Sequence, residues 1–137
     1  MAQKLCQLKK KGGGSLTETD LWTNSAPSSA WASSSITLSQ SISNFTFIKI
    51  YYKPTKDSSN TDINAICVEV EALKKMTDAV GKCQLFPTAK LTSSALWGRR
   101  AWYNDDTTMG VNNTGTQIYA ANTSTSNIIF TKVCGLK

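Results

Sequence analysis

Trp97, Arg99, Arg100, Trp102 and Tyr103 crowd into residues 95–104, ALWGRRAWYN. Guanidinium groups interleaved with aromatic rings stack on sugars, on bases and on one another, and the same residue types are enriched where subunits meet. In a strand this stretch puts Leu96, Gly98, Arg100 and Trp102 on one face and Trp97, Arg99, Ala101 and Tyr103 on the other. Each face then carries an arginine and a ring, which fits a subunit interface, packing within the domain or a ligand surface. The other candidate is the arm MAQKLCQLKKK, where Lys4, Lys9, Lys10 and Lys11 accompany Leu5 and Leu8 ahead of the flexible GGGS. Apolar anchors among lysines suit docking on a partner, and a disordered terminus is the alternative. KKKGGGS is no phosphate loop, because there the lysine and hydroxyl must follow the glycines at the mouth of a helix.

Catalytic groups are scarce. The chain has no histidine, which removes Ser-His-Asp and Cys-His constellations, the HExxH zinc motif and most general-base designs. Two pairs of carboxylates remain, Asp105-Asp106 and Glu69/Glu71. The first reads as a turn before TTMG and the second as a solvated strand face. Cys6, Cys67, Cys83 and Cys134 have no metal-ligand spacing, and without a secretion signal the expectation is four free thiols with no functional role. We therefore expect no metal, no cofactor and no enzymatic activity.

The net charge of +6 points first to nucleic acid, but its distribution argues otherwise. Four of the lysines precede the glycines, so residues 15–137 carry 11 basic against 9 acidic side chains, a balance of +2. That body has no basic excess and no nucleic-acid motif. No run of 18 apolar residues occurs, so no membrane insertion is expected, and the N-terminal stretch does not read as a signal peptide. At this length the chain forms one domain able to bury a sizeable core.

The elements that must position these groups are strands. Ser, Thr and Asn together number 42, and they suit pleated faces and turns better than helices. Residues 45–52, FTFIKIYY, read as the central strand, with Thr46, Ile48, Ile50 and Tyr52 on one face and Phe45, Phe47, Lys49 and Tyr51 on the other. Both faces are largely apolar, which predicts cover on both sides or an exposed aromatic face. Further strands are expected over 21–23, 30–38, 63–73, 95–104, 107–111, 116–121 and 128–137. An edge strand is expected over 82–91, where Pro87 cannot donate to a ladder. Residues 112–115, NNTG, read as a hairpin turn between 107–111 and 116–121.

The run LWTNSAPSSAWASSSITLSQSISNF resembles a segment of small bacteriophage structural proteins of the tail-fibre and head-fibre type, and IIFTKVCGLK is similar to the closing strand of the same domain. The resemblance implies a non-enzymatic virion structural protein, made in the host cytoplasm and located in the virion. Its partners would be other capsid or tail proteins. We expect an all-β, jelly-roll-like β-sandwich of about eight strands over 16–137, preceded by a flexible arm and linker over 1–15 and assembled as a homotrimer. A capsid decoration or head fibre attached through the arm is the first expectation. The alternative is the tip of a tail fibre or baseplate that binds host-surface carbohydrate.

Overall fold

Alternation decides which side chains meet. The computed structural model describes residues 14–29, 33–54, 64–79, 81–89, 96–112, 116–119 and 128–137, and among them are nine strands in two antiparallel sheets. Strands β1 (Glu18–Thr23), β9 (Ile128–Leu136), β3 (Phe47–Pro54) and β4 (Asn64–Glu69) form the first sheet in that spatial order. The second runs β2 (Ser35–Thr37), β7 (Thr108–Val111), β6 (Leu96–Asp105), β5 (Gln84–Ala89), and β8 (Thr116–Tyr119) also pairs with β6. Consecutive strands β1 and β2 enter opposite sheets and pair with the late strands β9 and β7, the nested wind of a jelly-roll-like sandwich.

The inward residues of both sheets make one core. Ile48, Ile50 and Tyr52 of β3 meet Phe130 and Val133 of β9, and from the other sheet come Phe86, Ala101, Met109 and Val111. Phe86 joins the layers, its ring set edge-on to Tyr52 at 5.3 Å and to Phe130 at 4.9 Å between centroids. Such edge-to-face pairs add about 0.5–1.5 kcal/mol each beyond area burial. A bulge at Thr131 keeps the pattern of β9 in phase. Lys132 is opposite Tyr51 while Phe130 is opposite Tyr52, so the extra residue lets Phe130 and Val133 both point inward with Lys132 outward. Two glycines permit close approach: the Trp102 indole lies over Gly110, its cross-strand partner, and the Phe45 ring lies over Gly135. A Cβ at either position would collide with the ring.

Both described ends of the chain meet at one pole, where Thr17 and Lys137 exchange backbone hydrogen bonds of 2.9 and 3.2 Å. The same pole holds a 3-10 turn (Ile42–Asn44), a single helical turn α1 (Val70–Leu73) and the β6–β7 turn. Asp106 binds these together. Its carboxylate accepts from Ser41, Ser43 and Tyr103 and pairs with Lys74 at 3.6 Å, and its carbonyl accepts from the Ile42 amide. The Ser43 and Tyr103 hydrogen bonds hold this carboxyl below its ordinary range.

Several sequence expectations need correction. The strand expected over 63–73 ends at Glu69, and Val70 to Leu73 turn helically so that Val70 and Leu73 cap the core. Of 30–38, the strand covers Ser35–Thr37, and 30–32 lie outside the described residues. Among the described residues β7 and β8 do not pair with each other, and 113–115 of the expected hairpin turn lie outside them. Both strands pair with β6 along its length, Val111 opposite Ala101 and Thr116 opposite Gly98, and Asn112 extends the ladder through hydrogen bonds with Arg100. The outer face of β3 is half-exposed at Phe47, Lys49 and Tyr51 and buried at Lys53, so it is covered only in part. β5 does lie at an edge, as Pro87 requires.

Candidate functional site

The arginine- and aromatic-rich strand does not present one surface. Arg99 points into the sandwich and is fully buried. Its guanidinium donates to the carbonyls of Asn112 (2.9 Å), Ile128 (2.8 Å) and Ser33 (3.5 Å) and lies 5.6 Å from the centre of the Phe130 ring. Burial pulls its pKa down to about 10, so it remains a cation at neutral pH. It joins β6 to the start of β9, the end of β7 and the β1–β2 connection, and it is not accessible to a subunit or ligand. Tyr103, on the same face, is committed to Asp106 at 2.8 Å. Arg100 and Trp102 face outward. Arg100 pairs with exposed Asp78 at 3.8 Å, and the Trp102 indole donates to Asn104 at 3.0 Å while covering Gly110. Trp97 is described by its backbone alone, opposite Thr88 and Gln117. The arm residues Lys4, Leu5, Leu8, Lys9, Lys10 and Lys11 lie outside the described residues.

A different group of side chains gathers on the outer face of the first sheet. Register places Asp20, Cys134, Lys49 and Cys67 in one row across all four strands. A neighbouring row contains Lys132, Tyr51 and Ala65. Glu18 is at the centre: its carboxylate accepts from the Tyr51 hydroxyl at 2.8 Å and from Lys49 at 3.3 Å, and Lys132 lies 3.8 Å away. Lys132 also pairs with Asp20 at 3.7 Å, and both ammonium groups lie over the Tyr51 ring at 4.6 and 4.7 Å. Burial would raise the Glu18 pKa, but its side-chain interactions with Cys134 and Tyr51 and the charge of Lys49 outweigh it and lower the value. Burial likewise works against the charge of Lys49, and its contacts with Tyr51 and Glu18 leave its pKa raised.

Glu18, Asp20 and Cys134 bring three donor atoms within 4.8 Å of one another, the set a thiophilic cation would use. The chemistry of the set argues against that use. Lys49 and Lys132 already pair with the carboxylates, and the buried thiol donates to Asp20 at 3.2 Å. Burial and the adjacent carboxylates push the Cys134 pKa far above the ordinary thiol range, so it is a protonated, unreactive group at neutral pH. The arrangement fastens β1 and β3 to β9. The sequence carried its signal as polar residues two apart in ETD, KIY and KVC, but nothing in it shows that these three strands are neighbours.

The cysteines also require a correction. Cys67 is disulfide-bonded, whereas Cys83 and Cys134 are free thiols, so the expectation of four free thiols fails. Among the described residues no helix is long and apolar enough to cross a membrane. Compared with known protein families and with curated proteins, the chain matches none.

Proposed function

We propose that this protein is a non-enzymatic bacteriophage virion structural protein, a capsid decoration or head-fibre module attached to the particle through its N-terminal arm. One observation supports this reading: the two ends of the sandwich differ. Residues 1–13 precede the pole where Thr17 meets Lys137. The strand ends that bound 24–34, 55–63, 90–95 and 120–127 lie toward the opposite pole. Those four connections hold 20 Ser, Thr and Asn among 34 residues, a far denser hydrogen-bonding composition than the rest of the chain. A module held by one end, with its strands leading into polar sequence at the other, suits a projection from a shell. The disulfide at Cys67 fits the same setting, since disulfides persist on virion surfaces outside the reducing cytosol.

The test is a chain beginning at Ser15. It should fold, because the ladders of the described residues do not require the arm, but it should fail to attach to particles. Normal attachment would overturn the proposal. A homotrimer belongs to the same proposal, and sedimentation of a stable monomer at micromolar concentration would remove it. The second reading, a tail-fibre or baseplate tip that binds host-surface carbohydrate, is favoured by the Ser/Thr/Asn composition of the far pole. It requires sugar binding that survives removal of the arm.

A further inference from the structure

We propose that the outer face of the first sheet is the docking surface for this chain's own residues 1–13, clamped there by a disulfide between Cys6 and Cys67. The chain has four cysteines. Cys83 and Cys134 are free thiols and Cys67 is bonded, so within one chain only Cys6 remains as partner. Cys67 is cross-strand from Lys49, in the row that continues through Cys134 to Asp20, and so belongs to the outer face. Part of that face is covered. Ile129, Cys134 and Leu136 of β9 are buried yet stand outside the core cluster between the sheets, and Lys53, cross-strand from Ile129, is fully buried too.

The arm can reach. β4 is three strands from β1, roughly 15 Å at the usual strand spacing of about 4.8 Å. The eleven residue steps from 6 to 17 span up to about 36 Å when extended, enough to cross the sheet and bring the two Cα atoms within the roughly 7 Å a disulfide needs. Closure requires an oxidant. A small-molecule disulfide of the glutathione type exchanges with the two thiols, is itself reduced to two thiols, and leaves the Cys6–Cys67 bond, so protons and electrons balance. The arm is then free in a reducing cytosol and clamped outside it. This inference does not depend on the virion reading.

The experiment uses the full chain, alkylated in denaturant without reductant. The expected product has the mass of one chain with two alkyl groups, rising to four after reduction, and its tryptic map contains residues 5–9 joined to 57–74. Cys67 recovered alkylated, joined to any other cysteine, or found in a species of twice the chain mass would overturn the clamp. In Cys6→Ser, Cys67 should become alkylated, while Cys83→Ser should leave the linked pair intact. Docking, as distinct from the bond, is read by amine labelling of the native protein. Labelling of Lys49, Lys53 and Lys132 should rise several-fold in Cys6→Ser, and unchanged labelling would overturn the docking surface.

Discussion

Arg99 and the Glu18 cluster both tie strands together through charge, in opposite surroundings. Arg99 is sealed inside the sandwich, where its guanidinium donates to neutral backbone carbonyls and lies near the Phe130 ring. The cationic charge is costly to bury, which is why its pKa falls to about 10, and the fold tolerates it because the planar guanidinium reaches several acceptors at once. The Glu18 cluster is balanced in charge, with two carboxylates facing two ammonium groups, but water still reaches it: the Glu18 side chain is 32% exposed and that of Lys49 22%. Solvent and salt weaken each of its pairs, and several contacts share the load. The inner site should therefore fail as a unit when one residue is changed, and the outer one should degrade gradually.

The largest expected effect follows directly. Arg99→Ala leaves a cavity and several buried carbonyls unsatisfied, and should cost about 3–5 kcal/mol. In a domain of this size that lowers Tm by roughly 10–15 °C. Arg99→Lys keeps the charge but loses the fork, and should still cost about 2 kcal/mol because a single ammonium cannot serve acceptors on three separate segments. Thermal unfolding measures both. If either variant were no less stable than Glu18→Gln, the contrast between the two sites would collapse.

Alternation along 45–52 and 95–104 correctly separated Ile48, Ile50 and Tyr52 from Lys49 and Tyr51, and Arg99 from Arg100. It could not say which side of β6 was the inside. Arginine is rarely buried, so the sequence suggested a surface for Arg99, and the carbonyls that accept from it come from residues 33, 112 and 128, far apart along the chain. The Glu18 cluster was hidden for a related reason. Its members lie on β1, β3 and β9, and only the pairing of the first and third strands with the last, with bulges at Leu21 and Thr131, brings them onto one face. Of the expected turn over 112–115 only Asn112 is described, and it is engaged with Arg100 in the β6 ladder.

Cys134 tests the boundary between the two regimes, being buried like Arg99 but part of the outer network. Cys134→Ala removes packing and the thiol donor to Asp20, and should cost about 1–2 kcal/mol, between the Arg99 and Glu18 variants. In the native protein its protonated, covered thiol should resist a maleimide reagent while half-buried Cys83 reacts. Labelling of Cys134 at the rate of Cys83 would show that the outer network is open to water throughout.

The smallest effect is the most diagnostic of how the outer network works. Glu18→Gln removes the shared carboxylate of two ion pairs and should cost no more than about 1 kcal/mol at neutral pH, a figure already reduced for solvent screening. The lowered pKa of Glu18 means that its contribution is fully present above the ordinary value of 4.5 and is lost as pH falls through the folded value. Lys49 and Lys132 have raised values, so their contribution is complete below 10.5 and is lost as pH rises through the folded values. The stability difference between wild type and Glu18→Gln should therefore form a plateau from about pH 4.5 to 10.5 and close on either side. Salt near 1 M, where the Debye length is about 3 Å, should shrink that plateau and leave the Arg99→Ala deficit unchanged. Urea unfolding at several pH values and two salt concentrations separates the terms. A Glu18→Gln deficit as large at high salt as at low would mean that the packing and hydrogen-bond geometry disturbed by the amide group, rather than the lost charge, carries the contribution.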